Sequence, residues 1–253
     1  MTGILTDITR CVGCEKCVNA CQKENHCKPE RPEHKRRPGE LFDTRWTSIV
    51  QRPEQHFVRR QCRHCLHPAC VSACPVGAMS RSVEGPVIYN KKRCIGCRYC
   101  MMACPYGIPR YEWDSLAPGV TKCIFCYHRV TRGKEPACTE ACPEKATIFG
   151  DRKALLKEAK QRIQQNPGTY LPEVIGEHEA GGTSVLYLSD IKLDFLLFNH
   201  HMGNGPIPQI SLKTLSAMPA AAGGICAVLA GIRWIIARRM RIPAPGRDKG
   251  KNT

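Results

Sequence analysis

The sequence predicts an α+β protein whose fold is organised by thiolates and which ends in a single transmembrane helix. Three observations carry that expectation. Eighteen of the 253 residues are cysteine, about 7 per cent and far above ordinary usage. Only 6% of residues are aromatic and 42% apolar, so few large side chains are available to fill one big enzyme-like α/β core. From Thr214 to Ile232, nineteen positions carry no charge, which is long enough to cross a bilayer.

Sixteen of the cysteines fall into four groups. They are Cys11, Cys14, Cys17 and Cys21; Cys62, Cys65, Cys70 and Cys74; Cys94, Cys97, Cys100 and Cys104; and Cys123, Cys126, Cys138 and Cys142. Three groups have the tight spacing of bacterial ferredoxins, and three end in Cys-Pro, at Pro75, Pro105 and Pro143. A cubane cluster needs four thiolates around a compact core, and a C-x2-C-x2-C loop can wrap three of its corners while backbone N–H groups point at the sulfurs. Gly13 and Gly96, each just before a second cysteine, let the backbone approach closely. The fourth cysteine is expected to open a helix and turn away from its own loop, so that it serves the other cluster of a pair. Isolated C-x2-C pairs also occur in zinc ribbons and disulfide scaffolds. Repeated four-cysteine groups with Cys-Pro endings favour four 4Fe-4S clusters bound to iron through all sixteen thiolates.

The net charge is +16, from 38 Lys and Arg against 22 Asp and Glu. Four clusters of roughly −2 each would bring the holoprotein to about +8, so much of the basic excess is expected to be internal neutralisation. Arg10, Arg93 and Lys122 each precede the first cysteine of a group, where a cation would favour a reduced cluster and raise its potential. His64 and His67 lie inside the second group, but sixteen thiolates already satisfy four clusters. Cys27 and Cys226 belong to no group and are read as free thiols.

Along the chain, residues 22 to 61 form a polar insertion ending in a short strand at Trp46 to Val50. Val87 to Tyr89, after the Gly85-Pro86 turn, and Thr147 to Gly150 read as strands beside cysteine groups. Asp151 caps a helix running to about Gln165, with Ala154, Leu155, Ala159 and Ile163 on one face. Val185 to Leu188 reads as a strand, and Gly203 to Pro208 as a linker.

Residues 214–237 are assigned to the transmembrane helix, with Arg233 snorkelling and Trp234 at the interface. A basic tail, 238–253, carries Arg238, Arg239, Arg241, Arg247, Lys249 and Lys251, whereas the eighteen residues before Thr214 hold only Lys213. The positive-inside rule places the tail in the cytoplasm and the cysteine-bearing part on the periplasmic side of the inner membrane. No signal peptide is visible at Met1 to Arg10. Export of the folded protein with a partner that carries a twin-arginine signal would reconcile the two observations.

The runs Gly3-Ile-Leu-Thr-Asp-Ile-Thr-Arg-Cys-Val-Gly-Cys14, Arg60-Gln-Cys-Arg-His-Cys-Leu-His-Pro-Ala-Cys-Val-Ser-Ala-Cys-Pro75 and Cys94-Ile-Gly-Cys-Arg-Tyr-Cys-Met-Met-Ala-Cys-Pro-Tyr-Gly107 resemble the four-cluster iron–sulfur subunits of membrane oxidoreductases. These include the subunits of formate dehydrogenase, of the dimethyl sulfoxide reductase family and of membrane-anchored hydrogenase. The resemblance covers residues 3 to about 195. It implies two bacterial-ferredoxin-like folds: one discontinuous, 1–50 with 106–150, and one inserted in it, 51–105, followed by an extension, 151–213. It further implies crossed ligation. Cys11, Cys14, Cys17 and Cys142 would hold one cluster, and Cys123, Cys126, Cys138 and Cys21 its neighbour. Cys62, Cys65, Cys70 and Cys104 would hold a third, and Cys94, Cys97, Cys100 and Cys74 the fourth. Group one departs from the pattern in having Gln22 where the others have proline.

Two functions follow for comparison. The first is a non-catalytic electron-transfer subunit, relaying electrons between a catalytic partner and an integral membrane quinone- or haem-binding subunit. The catalytic partner would be a molybdenum or tungsten pterin enzyme, a nickel–iron hydrogenase or a multihaem cytochrome. No G-x-G-x-x-G, P-loop lysine motif or nucleophile with a base is present to suggest catalysis, and Gly223, Gly224 and Gly231 would let the terminal helix pack closely on a membrane partner. The second is a zinc-rich basic nucleic-acid-binding protein. The membrane segment and the scarcity of aromatics beside the basic stretches disfavour it.

Overall fold

In a computed structural model, which describes residues 1–35, 37–196 and 203–241, the chain divides into two units, Met1–Pro208 and Gln209–Thr253. The first unit contains β1 (Thr2–Asp7), α1 (Lys16–Glu24), α2 (Pro32–Lys35), β2 (Ser48–Arg52), β3 (His56–Arg60), α3 (Ala69–Ser72), β4 (Met79–Arg81) and β5 (Val87–Tyr89). It continues with α4 (Tyr99–Ala103), β6 (Arg110–Tyr111), β7 (Val120–Thr121), α5 (Tyr127–Val130), α6 (Ala137–Glu140), β8 (Thr147–Asp151), α7 (Arg152–Gln165) and β9 (Val185–Leu188).

The N-terminal strand β1 is the centre of a three-stranded sheet, ordered β8-β1-β9. It pairs antiparallel with β8, Ile4 opposite Phe149, and parallel with β9, Ile4 opposite Val185. Side chains alternate across it, as the pleat requires. Leu5 of β1 and Leu186 and Leu188 of β9 pack with Leu155 and Ala159 of α7. Ile4, Val185 and Tyr187 face the other way, with Val58, Phe125 and Ile175, toward the cysteine loops. Because both faces are covered, β9 is an unbroken apolar run, and all four of its residues are buried. The three remaining sheets are the two-stranded ladders β2-β3, β4-β5 and β6-β7, which hold the cysteine loops between them.

Asp151 caps α7 as expected, its carboxylate accepting the backbone N–H groups of Lys153 and Ala154. The packed face of α7 differs in one residue. Leu155 and Ala159 are buried, with Leu156 and Ile163 packed beside them, whereas Ala154 is exposed. The packed stripe runs through positions 155, 156, 159 and 163, and Ala154 lies off it on the solvent side. The strand expected at Trp46 to Val50 lies two residues later, as β2, paired with β3.

The second unit is built on α8 (Ile207–Arg241). It begins seven residues before Thr214, inside the stretch read as a linker. Pro208 is compatible with that start because the second residue of a helix has no intrahelical N–H partner to lose. Over Ile207–Met240 the helix is long and apolar enough to cross a membrane, with Pro219 inside it. Arg247, Lys249 and Lys251 lie outside the described residues.

Leu186→Ala would open a hole between the sheet and α7 and is expected to cost about 2–5 kcal/mol. The check is the midpoint of thermal unfolding, which should fall; an unchanged midpoint would contradict this packing.

Candidate metal centre

The four cysteine groups share one local design. The residue before each second cysteine has a left-handed backbone: Gly13 (φ +70°), His64 (+47°), Gly96 (+70°) and Phe125 (+63°). That turn aims N–H groups inward. The Gly96 N–H donates to Cys94 Sγ at 3.4 Å and the Phe125 N–H to Cys123 Sγ at 3.3 Å. Gly13 is required twice over, by its φ and because a Cβ there would stand 2.5 Å from the Phe57 ring.

The helix expectation needs correction. In every group it is the third cysteine that opens a helix, as its second residue: Cys17 in α1, Cys70 in α3, Cys100 in α4 and Cys138 in α6. The fourth cysteine follows one turn later. In groups two to four it stands at or just past the helix end, where the following proline stops the helix. Gln22 has an N–H to donate, so α1 continues to Glu24 while the other three helices last four or five residues.

The fold brings cysteines of different groups together. A largely apolar cavity is lined by Cys11, Cys14, Cys17 and Cys142, together with Thr6, Val12, Ile49, Arg59, Pro143, Ala146 and Thr147 and the carboxylates Glu15 and Glu144. Cys21 interacts electrostatically with Cys123, Cys138, Cys126 and Cys27, and Cys65 with Cys62, Cys104 and Cys70. Cys100 has Cys94, Cys74 and Cys97 around it. Cys17 packs with Cys138, Cys123 packs with the cluster that holds Cys62 and Cys104, and Cys70 packs with Cys100. Cys14 is exposed; Cys11, Cys65, Cys70, Cys74, Cys94, Cys97, Cys123 and Cys142 are half-buried; and Cys17, Cys21, Cys62, Cys100, Cys104, Cys126 and Cys138 are buried.

Burial dominates the electrostatics of the thiols. It pushes Cys17 up to about 11 and Cys70 up to about 12. For Cys74, burial is outweighed by the backbone N–H groups of Met79, Val76, Ala78 and Gly77, and its thiol is lowered; the Ala78 N–H lies 3.2 Å from its sulfur. Cations balance the thiols from within. The buried Arg59 guanidinium donates to Thr147 Oγ1 at 2.9 Å, to Thr47 Oγ1 at 3.3 Å and to Gln61 Oε1. Burial opposes its charge, but Cys138, Cys17, Tyr187 and Cys123 more than compensate and raise it. Lys122 is also buried, its Nζ donating to Val87 O at 2.5 Å and Cys123 O at 2.9 Å. Among the described residues neither makes an ion pair with a carboxylate.

The expectation that much of the basic excess is internal is too generous. Among the described residues Arg59, Arg63 and Lys122 are the buried Lys and Arg; Arg10 and Arg93 are exposed, Arg10 lying 3.5 Å from Asp7. Backbone N–H groups do part of the balancing instead, which composition cannot reveal. His67 is exposed, and His64 hydrogen-bonds to Cys123 Sγ at 3.5 Å. Sequence reasoning missed Arg59 and this role of His64. The one available signal was that His64 and Phe125 occupy the slot that glycine fills in the other two loops.

These donors suit 4Fe-4S clusters better than zinc. All eighteen cysteines are free thiols. Thiols spread around a largely apolar cavity with N–H groups aimed at their sulfurs fit a larger inorganic core.

Residues 53–152 match the 4Fe-4S dicluster domain family. The chain is 35% identical over 236 residues to the hydrogenase-2 operon protein HybA of Escherichia coli O157:H7, covering 77% of this chain and 71% of that protein. It is 33% identical over 252 residues to the iron-sulfur subunit of the nitrate-inducible formate dehydrogenase of Escherichia coli K12, covering 90% and 82%. It is 39% identical over 160 residues to the B subunit of the anaerobic dimethyl sulfoxide reductase of the same strain, covering 62% and 76%.

Gly13→Ala should disable the first cysteine loop alone. The expected result is loss of about a quarter of the bound iron, measured per chain in purified protein; full iron content would show that the loop tolerates the side chain.

Proposed function

The chain belongs to the family of four-cluster iron–sulfur electron-transfer subunits of membrane oxidoreductases, and from that membership we propose which thiols hold its clusters and how it meets its partners. The first site is Cys11, Cys14, Cys17 and Cys142, and the second Cys21, Cys123, Cys126 and Cys138. The third is Cys62, Cys65, Cys70 and Cys104, and the fourth Cys74, Cys94, Cys97 and Cys100. One observation supports this reading: cysteines far apart in sequence lie together, Cys142 with Cys11, Cys14 and Cys17 around one cavity, and Cys17 with Cys138, Cys123 with Cys62 and Cys104, and Cys70 with Cys100 in the packed clusters.

When bound, 4Fe-4S clusters supply one-electron redox chemistry. The chain supplies the rest. It spaces the sites, keeps the inner ones dry, and sets their potentials through buried cations and N–H donors. With this pairing goes the proposed domain division, 1–50 with 106–150 around an inserted 51–105.

Two exposed patches beside the proposed sites are each read as a docking face. At the first site Cys14 and Val12 are exposed; beside the fourth, Ile95, Tyr99, Met102 and Trp113 are exposed. An apolar rim suits a permanent partner, because it removes surface from water on assembly. One face would meet a catalytic subunit of the hydrogenase, formate dehydrogenase or dimethyl sulfoxide reductase kind, and the other a quinone- or haem-bearing membrane subunit. The apolar helix α8 would anchor the chain, and Gly223, Gly224 and Gly231, with open space at each Cβ position, would admit a close helix neighbour. The basic residues after Trp234 orient the tail toward the cytoplasm and the sites toward the periplasm.

Crossed ligation is tested by comparing neighbours in sequence. Cys17→Ser and Cys21→Ser are expected to abolish the EPR signals of different clusters, while Cys21→Ser and Cys138→Ser abolish the same one. If Cys17→Ser and Cys21→Ser remove the same signal, the assignment is wrong. For orientation, protease added to spheroplasts should digest the cysteine-bearing unit; its protection would reverse the topology.

A further inference from the structure

His64 stands in a position that backbone geometry favours for glycine. Of the four residues that precede a second cysteine, Gly13 and Gly96 take the left-handed conformation freely, whereas His64 and Phe125 hold it with a side chain attached. Those two side chains meet each other edge-on, ring centres 4.7 Å apart. The His64 ring is fully buried. Its Nδ1 accepts the Val87 N–H at 3.0 Å, and its Nε2 lies 3.5 Å from Cys123 Sγ.

With Nδ1 committed as an acceptor, the proton of the neutral ring sits on Nε2 and is donated to the sulfur. Lys122 clamps the same junction, its Nζ bonded to the carbonyls of both Val87 and Cys123, so the two partners of His64 are held together. Cys123 belongs to the second site, and His64 is joined by one peptide bond to Cys65 of the third. A ligand of one site is thus connected to a ligand of the next by one hydrogen bond and one residue.

On the cysteine assignment given above, we propose that His64 is a positioning residue for electron transfer. Its Nε2–H raises the potential of the second cluster through Cys123 and bridges that cluster to the third. An electron that crosses leaves one cluster oxidised by one electron and the other reduced by one. No bond breaks, and His64 keeps its proton.

The test uses the intact complex purified through this chain, with its clusters first counted by iron, labile sulfide and EPR spin integration. Fewer than four clusters in the unaltered complex overturns the assignment of sites, and the proposal falls with it. With four present, His64→Leu removes the donor and His64→Gln keeps an amide N–H near the same place. In EPR-monitored redox titration, His64→Leu is expected to lower the reduced-to-oxidised ratio of one cluster about tenfold at fixed potential, ~59 mV for a one-electron couple. The other three should not move, and His64→Gln should restore most of the shift. Unchanged titrations in His64→Leu overturn the proposal and leave the sites standing. Should His64→Leu fail to load its clusters, the unaltered complex labelled with 15N-histidine decides the matter. Pulsed EPR of the reduced second cluster should show a histidine nitrogen coupling that persists in His128→Gln, whose ring pairs instead with Glu24 in the present fold; absence of that coupling overturns the proposal.

Discussion

Everything in the first unit depends on bringing together cysteines that lie far apart along the chain. The loop from Cys11 to Cys17 shares a cavity with Cys142, which stands beyond a helix end far along the sequence. Such long-range closure does the work that a large apolar core does elsewhere. The cores that remain are small. One joins the sheet to α7 and another joins the sheet to the cysteine loops, and the N-terminal strand lies between them because β8 and β9 must be tied on either side of the first loop. The short ladders serve to orient loops and contribute little core of their own.

The second constraint is charge in a dry interior. Buried thiols resist ionisation, as the raised values of Cys17 and Cys70 show, so bound metal and nearby donors must make the thiolate state acceptable. The fold answers with backbone N–H groups at each loop and with Arg59 and Lys122, which are buried without a carboxylate. An isolated buried cation of this kind would be costly, and its position beside sulfur ligands removes that cost. Arg59 reaches thiols of the first and second sites, and Lys122 binds the backbone where the second meets the third. Opposite charges are therefore interleaved among the proposed sites.

Much of this was legible in the residues, and what was not has identifiable causes. The cysteine spacing, the Cys-Pro endings and the glycines before Cys14 and Cys97 announced the loops, because a tight turn around a metal cluster tolerates few alternatives. Asp151 and the run Val185 to Leu188 announced a cap and a strand that the structure contains. The strand β1 was not legible, since two apolar residues among Thr, Gly and Asp have no period of their own and gain meaning only from partners more than a hundred residues away. The spacing suggests a helix opening at the fourth cysteine, but it opens at the third. Proline after the fourth stops a helix rather than starting one, and Gln22 makes the point by letting α1 run on.

By itself the sequence determined the chemistry: which sulfurs are available, how many clusters they can serve, and that one apolar helix follows them. Those properties are local, set by residue type and spacing over a few positions. The tertiary structure alone decided which distant cysteines lie together, and that His64, Arg59 and Lys122 are buried among them. These are long-range contacts in a dry interior, where a hydrogen bond or a charge acquires its effect from neighbours that the linear order of residues does not disclose.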